Sequence, residues 1–178
     1  MYDSLLRDDG RFLKCLMAFV LAGVLIWADC GKVDEKEEIK ERLRTIASQA
    51  EKKESGKILS FMTPDYRDFQ GRDLEQTAAL LDYYFKNYHG IAIHLLDVYV
   101  DIDGQRAEAE ADVLLSSGPP ESLRRLVGIV GSYYRFDFQL EKSDGRWLIK
   151  SAAWREIDSS QLLPGSMVIL RKLFPEKY

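Results

Sequence analysis

The sequence predicts an α+β fold, with three N-terminal helices packed on a strongly bent antiparallel sheet of four strands or slightly more, then a C-terminal helical tail. Three observations predict it. Between Asp34 and Tyr88 apolar residues recur at spacings of three and four, the period of amphipathic helices. From His94 to Ile157 they recur at spacings of two, the period of half-buried strands. The strand region is punctuated by Asp103-Gly104 and Ser143-Asp144-Gly145, where Gly and Asp tolerate the positive φ of tight hairpin turns. Helices first and strands afterwards is an α+β order, not an alternating one.

Residues 1–30 read as a signal or anchor segment. Arg11 and Lys14 precede an unbroken apolar run from Cys15 to Ala28. A spanning helix needs about 20 apolar residues, so the run suits the core of a secretory signal. Asp3, Asp8 and Asp9 make an acidic start for such a segment, so the true initiation point lies open. The run ends at Trp27-Ala28-Asp29-Cys30-Gly31, and a cysteine at this place resembles a bacterial lipoprotein signal. That resemblance implies lipid attachment at Cys30, a membrane partner and a cell-envelope location. Asp29 and Trp27 depart from the small residues the pattern favours. Cleavage after Ala28, an uncleaved anchor and a cytoplasmic protein with a later start are the alternatives. The only other cysteine is Cys15, so the chain beyond the signal has no internal disulfide.

Residues 31–157 are the predicted domain. Asp34 and Glu37 form a capping-box variant ahead of a helix whose stripe is Ile39, Leu43, Ile46, Ala47 and Ala50. Ser55-Gly56 stops it. Lys57 to Met62 is a short helical turn that Pro64 ends. Thr63 to Arg72 reads as a loop carrying Tyr66 and Phe69. Asp73 and Gln76 cap the third helix, whose stripe is Leu74, Thr77, Ala78, Leu81, Phe85 and Tyr88, with His89-Gly90 at its end. Then come the strands His94–Ile102, Arg106–Leu115, Ser132–Glu141 and Trp147–Ile157. Glu121 to Val127 stays ambiguous. Residues 158–178 form a tail in which Ser166 caps a last helix, with Val168, Leu170, Leu173 and Phe174 packing back on the domain.

This order resembles the nuclear transport factor two-like superfamily, the cone-shaped barrel shared by ketosteroid isomerase, scytalone dehydratase and the SnoaL-like cyclases. The resemblance covers Asp34 to Ile157. It rests on element order, on the helix ending at Tyr88-His89-Gly90, and on the closing aromatic hairpin with Trp147 and Trp154. It implies helices capping the concave side of the sheet with a pocket between, and an outer sheet face that often supports dimers. It implies no particular activity.

Strand parity sets the expectation for that pocket. The helix-facing set is Leu96, Val98, Val100, Ile102, Ala107, Ala109, Ala111, Val113, Tyr134, Phe136, Phe138, Leu140, Trp147, Ile149, Ser151 and Ala153, without Asp, Glu or His. Carboxylates fall on the other face with Leu95, Tyr99, Leu148 and Trp154. No catalytic residue is therefore assigned. The pocket candidates are Tyr66, Tyr84, Tyr88, His94, Tyr134, Phe136 and Trp147. Two histidines and one cysteine beyond the signal make no zinc site, and no phosphate loop or nucleophile elbow is present. No cofactor is expected. A net charge of −4 with no basic stripe excludes nucleic acid. The expected function is a non-catalytic, envelope-tethered module that binds a partner protein or a small apolar ligand or serves in assembly, with a homodimer through the outer face. The alternative is a small isomerase, dehydratase or cyclase using a pocket Tyr or His.

Overall fold

In this computed structural model, residues 34–88, 90–117 and 131–175 are described. Cys30 and the rest of the signal segment, His89 and the ambiguous Glu121–Val127 stretch lie outside them. Among the described residues no helix is long and apolar enough to cross a membrane. Apart from Glu35, the first residue of α1, the elements below belong to the compact unit Lys36–Tyr178.

Chain order is α1 (Glu35–Glu51), α2 (Ser55–Leu59), β1 (Met62–Asp68), α3 (Leu74–Asn87), β2 (Ile91–Asp103), β3 (Arg106–Ser117), β4 (Ser132–Ser143), β5 (Arg146–Ile157), a 3-10 turn (Ser159–Gln161) and α4 (Pro164–Leu173). The five strands form one curved, unclosed sheet in the order β1-β5-β4-β3-β2. Three hairpin-type pairings run antiparallel, as expected, and the turn residues have the predicted positive φ at Gly104, Asp144 and Gly145. Asp73 and Gln76 close the predicted capping box on α3 at 3.0 and 3.1 Å.

The predicted loop from Thr63 to Arg72 is corrected: its first half is β1, parallel to β5. Pro64 hid it. A proline lacks an N–H and is confined to edge strands, and β1 is an edge. Ser166 is also corrected. Leu163 is the N-cap of α4, Pro164 fills the first turn, and Ser166 lies buried inside the helix.

The main core joins Ile39 and Leu43 of α1 to Tyr66, Val100, Ala107, Ala109, Leu140, Trp147, Ile149 and Ala152. Each fully buried aliphatic side chain here contributes about 1.5–3 kcal/mol. A second cluster lies on the opposite side of the sheet, where Leu170 of α4 packs on Leu96 and Leu114. Leu170 and Phe174 of the tail thus pack back on the domain, whereas Val168 and Leu173, expected to do the same, stay exposed.

Two bulges break the parity on which the sequence reading relied. In β2, Leu95 pairs with Val113 but the next pair on that face is Val98 with Ala111. In β5, Ile149 pairs with Leu140 but Ser151 already pairs with Gln139. Each bulge sets two residues against one and reverses which face later residues occupy. Leu95, Trp154 and Glu156 consequently join the helix-facing side. Leu96, Ser151 and Ala153, expected there, lie on the outer side.

Candidate functional site

Beyond the core, the helix-facing side of the sheet carries a half-buried aromatic floor. One rung reads Val98, Ala111, Phe136, Trp154, and the next Leu95, Val113, Tyr134, Glu156. Phe136 stacks on Phe138 at 5.8 Å and on Trp154 at 6.1 Å. Phe69, just past β1, meets Trp154 edge-on at 4.8 Å. The Arg72 guanidinium lies 5.5 Å from the Trp154 ring centre. Arg72 is held in turn by the fully buried Asp68 carboxylate at 2.6 Å, which also accepts the backbone N–H groups of Gln70 and Arg72.

Above this floor α3 is only lightly packed. Of its predicted stripe, Thr77 alone is buried; Leu74, Ala78, Leu81 and Phe85 are half-buried. Its last turn carries three exposed tyrosines. Tyr84 and Tyr88 stack at 5.9 Å with ring planes 24° apart, and Tyr83 meets Tyr84 edge-on at 5.8 Å. The end of α1 fixes this turn. Lys53, in the left-handed region at φ +59°, donates its ammonium to the carbonyls of Phe85 and Tyr88. Glu51 accepts the backbone N–H of Ile93 at 2.8 Å. One corner therefore holds both the tyrosine turn and the start of β2.

Tyr134 faces this turn. Burial pushes its hydroxyl pKa up, and the Glu156 carboxylate adds to the rise, as do Tyr84 and Tyr88; Ser132 opposes it. The phenol stays protonated at neutral pH and serves as a hydrogen-bond donor. Glu156 is exposed and takes part in no hydrogen bond or ion pair among the described residues.

The structure places four of the pocket candidates, Tyr84, Tyr88, Tyr134 and Phe136, at this face. Three other candidates are corrected. Tyr66 is 1% exposed, a core residue and not a rim residue, because β1 turns it under α1. Burial pushes its hydroxyl up to about 12, with the Asp68 carboxylate adding and Arg72 and Thr77 opposing. Trp147 is wholly buried in the core, and its indole N–H has no partner among the described residues. His94 lies on the outer face, edge-on to Phe174 at 6.1 Å, because the β2 bulge lies beyond it and its register is set by Leu114.

The sequence reading missed Trp154 and Glu156. It also missed Asp68, which pairs with helix-facing Ala152 at the sheet edge. The expectation that the helix-facing side holds no Asp or Glu is overturned by Asp68 and Glu156. Asp68 is consumed by its own loop. Glu156 is available. Among the described residues no group of three or more His, Cys, Asp or Glu is placed to hold a metal ion.

The outer face is different in kind. Under α4 it is closed: Asp112, wholly buried, takes Arg135, Leu163 N–H and the Ser166 hydroxyl. Farther along, it is an open groove of about 540 Å³ lined by Tyr99, Asp101, Glu108, Glu110, Asp137 and Gln139 among others. Its Arg155–Asp137 ion pair at 2.6 Å is that of a solvated face, whereas Arg135, which reaches Glu110 at 3.1 Å, is largely buried beside Asp112.

Solved structures with this arrangement share the fold at low identity. A provisionally assigned scytalone dehydratase from Novosphingobium aromaticivorans matches 74% of this chain and 91% of its own, with 13% identity and a TM-score of 0.58. A provisionally assigned dehydratase of the NTF2-like family from Streptomyces avermitilis matches 68% and 95%, with 16% identity and a TM-score of 0.57. Bd1075 from Bdellovibrio bacteriovorus matches 69% of this chain at 12% identity and a TM-score of 0.57, but only 41% of its own length. Such identities speak to the fold alone. No curated protein matches the chain. Residues 31–153 match the SnoaL-like domain family. With its cone of helices over a bent sheet, the chain belongs to the SnoaL-like domain family, within the nuclear transport factor two-like superfamily.

Proposed function

We propose that this chain is a binding module for a small apolar ligand seated between α3 and the concave face of the sheet. The observation that supports it is the floor of Phe136, Phe138 and Trp154, left half-buried beneath an α3 whose own apolar stripe is half-buried. An aromatic face left partly accessible to solvent offers apolar contact area to a ligand. The tether belongs to the same proposal: lipid attached at Cys30, or an uncleaved anchor, holds the module at the bacterial envelope. Palmitate labelling that is lost in Cys30→Ser supports the lipid; labelling that persists overturns it.

The binding test uses the neutral fluorophore N-phenyl-1-naphthylamine. Saturable fluorescence enhancement is expected, with about tenfold weaker binding in Trp154→Ala. Enhancement that never saturates, or that Trp154→Ala leaves untouched, overturns the reading.

One observation favours a second reading. Tyr134 and Glu156 occupy one rung, a protonated phenol beside a free carboxylate, as an isomerase or dehydratase requires of a donor and a base. Turnover of a hydroxylated aromatic ketone that disappears in both Tyr134→Phe and Glu156→Gln supports it; turnover indifferent to both removes it. A homodimer through the uncovered part of the outer face, where Tyr99 is 60% exposed, is proposed alongside either reading. Sedimentation equilibrium of the wild type against Tyr99→Glu tests it, and a monomer at every concentration overturns it.

A further inference from the structure

Resting on the ligand-binding reading above, we propose that the ligand carries a cationic ammonium head group, held at the rim formed by Tyr84, Tyr88, Tyr134 and Glu156, with its apolar body running toward Trp154.

The argument begins with Glu156. The β5 bulge turns it onto the concave face, in one rung with Tyr134. It takes part in no hydrogen bond or ion pair among the described residues. Neighbouring carboxylates are committed elsewhere: Glu51 to the Ile93 N–H, Asp137 to Arg155 on the other face. Glu156 is thus an exposed carboxylate at the end of the aromatic face, with no partner among the described residues.

The tyrosines set the same sign of potential. A phenol ring presents a negative face, and cations are attracted to it within about 6 Å of its centre. Tyr84 and Tyr88 present stacked rings, 45% and 42% exposed, on the last turn of α3. Lys53 and Glu51 together dock that turn and the start of β2 on the same corner of α1. Ile93 lies in the rung next to that of Leu95, Val113 and Tyr134. Three rings and one carboxylate therefore share one end of the helix-facing side. An anionic head would meet Glu156 with like charge. A neutral hydroxyl head would gain hydrogen bonds but neither the charge attraction of Glu156 nor the cation–π attraction of the rings. A desolvated ammonium gains from both.

The test displaces N-phenyl-1-naphthylamine with three probes of equal chain length, each below its micelle-forming concentration and at physiological salt: dodecyltrimethylammonium, 1-dodecanol and dodecyl sulfate. The cation is expected to displace at about tenfold lower concentration than the alcohol, and the sulfate at the highest. In Glu156→Gln and in the Tyr84→Ala/Tyr88→Ala double variant the cation-to-alcohol ratio falls toward one. Glu108→Gln on the outer face removes the same formal charge and keeps the wild-type ratio, which separates the rim from general attraction to an acidic protein. Equal displacement by cation and alcohol in the wild type overturns the cationic head and leaves the apolar site standing. A preference that survives both rim variants also overturns it. Failure of the naphthylamine to bind at all overturns the binding reading, and this inference falls with it.

Discussion

Asp112 on β3 accepts the backbone N–H of Leu163 and the hydroxyl of Ser166, 51 and 54 residues farther along the chain, through one carboxylate oxygen, and takes the Arg135 guanidinium at 2.8 Å with the other. This single buried charge fastens the C-terminal segment to the outer face. Arg135 completes the latch by donating to the Gln161 carbonyl at 2.7 Å.

Removing one partner of a buried, hydrogen-bonded pair leaves the other uncompensated and costs about 3–5 kcal/mol. Asp112→Ala is expected to lose stability on that scale in urea unfolding. It should also free the tail to proteases at Ser159–Leu173, because Leu163 and Ser166 lose their acceptor together. A loss below about 1 kcal/mol would show that Leu170 and its apolar neighbours hold α4 without the carboxylate.

Gly165 gives a prediction of sign. Its N–H donates to Asp97 at 3.0 Å, and a methyl group there would overlap the same carboxylate oxygen. Ala is favoured over Gly in a helix by about 1 kcal/mol. A hydrogen bond to a charged group contributes about 1.5–3 kcal/mol, so the lost bond should win. Gly165→Ala is expected to destabilise the wild type and to stabilise the Asp97→Ala background. The double-mutant cycle read by thermal melting checks it, and the same sign in both backgrounds would refute the contact.

Tyr66 predicts an alkaline limit. Its pKa stands at about 12 in the folded chain, against about 10 unfolded. The folded state therefore holds the proton more tightly. Its stabilising contribution is intact below pH 10 and is lost as pH rises toward 12. The amount is about 2–3 kcal/mol over that range. Urea midpoints measured from pH 9 to pH 11 should fall more steeply for the wild type than for Tyr66→Phe, which has no proton to lose. Parallel slopes would mean that the phenol is not buried as a neutral group.

How much of this was legible in the sequence depended on where periodicity survived. Ile39 and Leu43 at helical spacing, and Ala107, Ala109 and Leu140 at strand spacing, announced the core because nothing interrupts their rhythm. Gly104 and Gly145 announced their turns through the φ they permit. β1 was hidden by Pro64, which marks an edge strand and a loop alike. Trp154 was assigned to the wrong face, and Glu156 to none, because an inserted residue in a strand carries no composition signal. The only local hint is that the strand Trp147 to Ile157 is apolar on both sides, with Trp147 and Ile149 on one and Leu148 and Trp154 on the other, which strict alternation does not explain. The site was misread most where its residues lie beyond a bulge.

That inserted residue is Lys150, and it supplies the last prediction. Leu140 pairs with Ile149 and Gln139 with Ser151, so Lys150 is the surplus position of β5. Its ammonium reaches Glu141 at 2.7 Å and Asp65 at 3.4 Å on the exposed side. Two roles are separable here, the charge and the count of residues. Lys150→Ala keeps the count and loses solvated ion pairs, so its melting temperature should stay near that of the wild type. Deleting Lys150 keeps both neighbours and every pairing on either side: Ile149 faces in, Ser151 out, and Ala152, Trp154 and Glu156 in, by strict alternation. The deletion variant should therefore melt near the wild type and keep the Trp154 response to the naphthylamine probe. Inserting one alanine between Ser151 and Ala152 instead turns Ala152, Trp154 and Glu156 to the outer face or forces a second bulge, so that variant should be strongly destabilised and lose the response. An insertion variant that melts and binds like the wild type would mean that the register of β5 does not place Trp154 and Glu156 at the ligand face.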